Sequence, residues 1–211
     1  MTVDIDLNRK DLDPETLVVI ALNDSAFLRL LLDSVGPDVQ KEAVRSNCSK
    51  AVILLAEKHP ASVYPHLDYF VGLLKSKNSF SKYVALSVIA ELAASDPQCR
   101  FDGVVDDFYR LLGDESVIVA CHAAAVSARI AQMRLDLAPL ITHKLLDFDQ
   151  IQPGPKHKDL VASYIIETFR SLYAGAADAD KDLITAFVWK RQDCSSAKTR
   201  KLAKEFLKQV I

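Results

Sequence analysis

The residues best suited to chemistry are few and poorly spaced for it. Cys121 and His122 are adjacent, the residue types of a thiol nucleophile and its general base. Neighbours on a helix, however, point about 100° apart, and the apolar pattern around Cys121 turns it toward the layer of first helices. His59 and His66 each adjoin a proline, with no HExxH or CxxC spacing nearby, so capping or surface roles are expected of them rather than metal ligation. The cysteines at 48, 99, 121 and 194 show neither the close pairing of a zinc site nor the density of a disulfide scaffold. Asp106-Asp107 and the carboxylates Asp147 and Asp149 come closest to paired acids, and adjacent acids near helix ends are ordinarily solvated charge. No GxGxxG or GxxxxGKS/T run is present to cradle a phosphate. No catalytic residue, cofactor or metal is therefore expected, and the chain does not read as an enzyme.

The elements that would have to position any site are helical. The 211 residues are 50% hydrophobic and 26% charged, enough to bury a core within one domain or one short repeat array. Six glycines and eight prolines among abundant Ala, Leu, Lys and Glu disfavour an all-β or Rossmann-type chain. Charges run through the first ten residues, so no secretory leader is expected. The most apolar stretch, 117–131, is interrupted by His122 and Arg129 and is shorter than the roughly 20 residues of a membrane span. Free thiols inside apolar helical patterns, such as Cys48 and Cys121, fit a reducing cytoplasm.

An internal repeat organises these helices. Leu31-Leu32 is followed eleven residues after its second member by Ala43; Leu73-Leu74 stands in the same relation to Ala85, and Leu111-Leu112 to Ala123. After each alanine, apolar residues fall at plus one, five and eight: Val44, Cys48 and Ala51, then Leu86, Ala90 and Ala93, then Ala124, Ala128 and Ala131. Ala162, Ile166 and Phe169, and Ala203, Leu207 and Val210, continue the series. Steps of four and three place each trio on one helical stripe that must be buried. The first members lie 42, 38, 38 and 41 residues apart, within the period range of HEAT and armadillo arrays.

A shorter amphipathic segment precedes each long helix, at 27–35, 63–74, 101–112, 137–148 and 183–191. Turn residues separate the two members, and His59-Pro60 and Ser95-Asp96-Pro97 part successive pairs. Segment 111–125, Leu-Leu-Gly-Asp-Glu-Ser followed by Val-Ile-Val-Ala-Cys-His-Ala-Ala-Ala, carries a resemblance to the HEAT-repeat (armadillo-like) α-solenoid family. That resemblance implies an all-α fold, a right-handed α-α superhelix of about five helix pairs over 24–211. Residues 1–23 would form a polar lead and a capping helix on a single domain.

In such arrays the second, B, helices generally line the inner face. Positions opposite the buried stripe include Val84, Val88, Glu91, His122, Arg129, Met133, Tyr164, Glu167, Lys201 and Glu205, a mixed surface closer to a protein-binding than a phosphate-binding one. Glu91, His122, Arg129, Tyr164 and Glu167 are the expected partner-binding residues of a protein-binding scaffold or adaptor. The proline-rich connector at 147–158 is a candidate contributor. Residues 190–211 carry seven Lys or Arg and two acids, against an overall charge of −2. This basic terminal helix could touch nucleic acid or an acidic partner, while the overall charge argues against broad duplex binding. A rival resemblance, to HEAT-like DNA glycosylases, would use Trp189, Asp193 and that terminus, but Trp189 falls on the fifth first helix, outside the inner stripe. A third reading is a structural subunit that associates with itself or within a larger complex. No membrane partner is expected.

Overall fold

Helix formers separated by short polar breakers give twelve α-helices in the computed structural model, which describes residues 5–10, 12–39, 41–151 and 157–210. They are α1 (Pro14–Asn23), α2 (Ser25–Asp33), α3 (Glu42–Lys58), α4 (Pro60–Val63), α5 (Leu67–Leu73) and α6 (Ser79–Ala94), then α7 (Val105–Tyr109), α8 (Val117–Met133), α9 (Ala138–Leu146), α10 (Lys158–Leu172), α11 (Asp178–Trp189) and α12 (Ala197–Val210). No strand occurs among the described residues. Asp13, Asp24 and Asn78 accept from the first backbone N–H groups of α1, α2 and α6, amides that have no partner inside a helix.

The five expected pairs are present, with α2, α5, α7, α9 and α11 each followed by its B helix, α3, α6, α8, α10 and α12. Three of the first helices are not the single helices expected. The 63–74 segment is broken by a 3-10 turn at Tyr64–His66, where Pro65 lacks the amide a continuous helix would use. The 101–112 and 137–148 segments tighten into 3-10 turns at both ends, as short helices commonly do.

The chain packs as two compact units, 1–101 and 102–211. In the first, α1 covers α2 and α3 and buries Leu17, Val18 and Ala21, while α6 packs on α3 and α5. Side-chain hydroxyls tie neighbouring pairs together: Ser81 Oγ donates to the Val35 carbonyl at 3.1 Å and Tyr69 OH to that of Leu32 at 3.0 Å. Asn47 holds the leading segment by donating to the carbonyls of Leu7 and Arg9. Two expectations fail here. Val44, in the first turn of α3, is only half-buried, and Val84 and Val88, assigned to an exposed stripe, are fully buried. Helix α6 is apolar over most of its circumference, and such a helix leaves only a narrow face to solvent.

In the second unit α10 lies between α8 and α12. Ala124 and Ala203 are wholly buried and Ala162 nearly so. Thr168 Oγ1 on α10 donates to the Ala124 carbonyl of α8 at 2.8 Å, and Phe108, Phe148, Phe169 and Phe206 fill the space between layers. Gly113 lies so close to Ile151 that a Cβ would stand 2.6 Å from Ile151 Cγ2, which fixes the turn before α8 against the connector after α9. Ala124→Asp should cost several kcal/mol in chemical denaturation, because an unpaired carboxylate is forced between packed helices. Thr168→Val, which keeps the shape and loses one buried hydrogen bond, should cost about 1 kcal/mol. Unchanged midpoints in both would show that the α8–α10 seam is misplaced.

Candidate functional site

The B-helix face of the second unit gathers most of the expected residues. Helix α8 contributes half-buried His122 and exposed Arg129, and α10 contributes half-buried Tyr164 and exposed Glu167. Glu91 stands on α6 of the first unit, half-buried, and belongs to that unit's surface. From α12 comes a residue the expected set omitted: Lys198 Nζ lies 3.9 Å from the centroid of the Tyr164 ring and 3.5 Å from Glu167 Oε1. Farther along the same helices, Glu205 pairs with Arg170 at 3.6 Å and with Lys201 at 3.9 Å. Cations, carboxylates and an aromatic ring thus share one strip across consecutive helices.

Lys198 had a signal in the sequence. It lies five residues before Ala203, and stepping back five continues the exposed stripe that Lys201 starts two before it.

Electrostatics on this face follow from burial. Desolvation disfavours the charged imidazolium, and His122 is lowered from its ordinary 6.5 to about 4. Burial pushes the Cys121 thiol up to about 11, against an opposing pull from Lys198. A thiol raised in this way is not a thiolate at neutral pH.

Asp106, Asp107, Asp149 and His143 are tied into structure. Asp106 pairs with Lys144, Asp107 with Arg110, and His143 with Asp180. Asp149 receives buried Arg191, whose guanidinium also donates to the Phe187 carbonyl and stacks 3.4 Å from the Phe187 ring centroid. Lys158 donates to the Asp149 carbonyl, so the described ends of the 147–158 connector are fastened down; residues 152–156 lie outside the described residues. Trp189 is exposed at the end of α11. Among the described residues no group of three or more His, Cys, Asp or Glu could hold a metal ion, and no helix is long and apolar enough to cross a membrane.

No family model matches the sequence, and no curated protein matches it. Solved structures do. A designed armadillo repeat protein is 18% identical with a TM-score of 0.58, over 97% of both chains. A second, solved in complex with the peptide (KR)4, is 17% identical with a TM-score of 0.54 over 92% of this chain and 90% of that one. A computationally designed armadillo repeat protein for modular peptide recognition is 18% identical at 0.54, over 92% and 98%. The fold is an armadillo/HEAT-like helical repeat. At these identities the likeness concerns backbone architecture.

His122 makes this face acid-sensitive. Its folded value lies below its unfolded one, so between about pH 6.5 and 4 the unfolded chain binds a proton that the native chain does not. Stability is therefore lost as pH falls through that window, by an amount on the order of 2 kcal/mol. Denaturation at pH 7 and pH 4.5 should show a smaller loss for His122→Gln than for the parent; equal losses would mean that His122 is protonated normally in the fold.

Proposed function

We propose that the chain is a protein-binding scaffold or adaptor that receives a segment of its partner along the B-helix face of the second unit. The observation that carries this reading is the Tyr164, Glu167 and Lys198 cluster, which with exposed Arg129 on α8 of the same unit sets an aromatic ring and charges of both signs at the surface. Aromatic and Arg side chains dominate binding hot spots because they bring large, partly apolar contact area. The Glu167–Lys198 pair has both side chains more than 40% exposed, and a pair so solvated is held weakly, so a partner can exchange it at small cost. Designed proteins of the same armadillo-like fold include one for modular peptide recognition, which supports a peptide segment as the kind of partner to test. Glu91 is proposed as a contributor from the first unit's surface.

Selection of displayed random peptides against the purified chain, followed by titration, tests the reading. Tyr164→Ala and Arg129→Ala should each weaken selected peptides by about 1 to 3 kcal/mol while melting stays unchanged. Normal binding by the double variant sinks the proposal. With duplex DNA at physiological salt, binding should be weak, steeply salt-dependent and indifferent to sequence, because cations on this strip alternate with carboxylates. Submicromolar duplex affinity, or release of an alkylated base, would favour a nucleic-acid enzyme instead.

A further inference from the structure

At the far end of the second unit, α11 and α12 leave a groove of about 420 Å³ lined by Trp189, Gln192, Lys204, Leu207 and Lys208. It takes no part in the B-helix strip described above. Trp189, the chain's single tryptophan, is 53% exposed, a large apolar surface for a soluble fold to leave open. Its surroundings are one-sided. Lys204 and Lys208 lie four residues apart on one face of α12, both exposed, and among the described residues neither forms an ion pair and no acceptor takes the Trp189 indole N–H. The groove therefore offers an apolar floor, formed by the indole, Leu207 and the aliphatic stems of the lysines, rimmed by cationic and N–H donors. Its chemical complement is a ligand with one apolar side chain and acceptors beside it.

We propose that this groove docks an acidic protein segment, in which a leucine or aromatic side chain enters against Trp189 and flanking carboxylates meet Lys204 and Lys208. Charge complementarity selects this occupant: two lysines suit two nearby carboxylates, whereas a nucleic-acid strand calls for a longer cationic track along its phosphates. Asp193 adjoins the groove's Gln192 in sequence but is not among the lining residues, so lysines are the only charged groups in the lining.

The test uses the whole chain and synthetic peptides of about twelve residues, each with a central Leu, Phe or Trp-free aromatic flanked by Asp and Glu, by Ser, or by Lys. Trp189 emission reports occupancy directly, since a covered indole shifts to the blue. Acidic peptides should produce the shift, and Lys-flanked ones should not. The charge reversal Lys204→Glu/Lys208→Glu should weaken the acidic peptides by at least about ten-fold and admit the Lys-flanked ones. Trp189, Lys204 and Lys208 are all exposed, so melting should hold constant, and Tyr164→Ala should leave this binding intact, separating it from the B-helix strip. Equal binding of acidic and Ser-flanked peptides overturns the proposal, as does acidic binding unaffected by the reversal. A tighter shift with single-stranded oligonucleotides would overturn it in favour of nucleic acid. Concentration-dependent dimerisation abolished by Trp189→Ser would overturn it in favour of a second copy.

Discussion

The close approach of α8 to α10 is the constraint on which the second unit rests. Helix axes come within about 8 Å only where the side chains between them are small, and α8 supplies Ala120, Ala123, Ala124, Ser127 and Ala131, all buried. That nearness lets Thr168 reach across to a carbonyl inside the neighbouring helix, a bond that larger residues at 124 would prevent. On the far side of α10, Thr199 donates to the Asp159 carbonyl and performs the same service toward α12. Backbone-to-backbone proximity, repeated, turns separate helices into a sheet-like layer with one outward face.

Because the layer is tight, side chains on its outward face have short distances to span. Lys198 meets both Tyr164 and Glu167 from the next helix, and Arg170 meets Glu205 in the opposite direction. None of these pairs is deeply buried, so their worth to stability is small. Their consequence is organisational: an aromatic ring and opposite charges are held in register before any partner arrives, which lowers the entropy lost on binding.

The buried Arg191 shows a different use of charge. Removed from water, it is compensated by Asp149, by the Phe187 carbonyl and by the Phe187 ring, the full set of partners a desolvated guanidinium needs to break even. It locks the connector after α9 onto the end of α11. With Arg191 turned inward, Trp189 and Lys190 remain at the surface.

Much of this architecture was legible in the residues. The leucine pairs, the stripes at Leu86, Ala124, Ala162 and Ala203, and the period near forty residues place the five B helices and their inward sides, because burial imposes the 3.6-residue period directly on composition. Prolines and capping residues likewise fix where helices start. What the period could not decide is which outward positions stay outward. Val84 and Val88 lie opposite a buried stripe yet are buried themselves, since α6 is enclosed on more than one side, and a one-dimensional pattern does not count neighbours. Nor did it pair Lys198 with Tyr164, which stand 34 residues apart in sequence and become adjacent only when α10 and α12 pack. Sequence determined the helices and their seams through local geometry and hydrophobic spacing; the meeting of side chains from different helices, and with it both candidate binding surfaces, was decided by tertiary packing, because that depends on distances no spacing along the chain encodes.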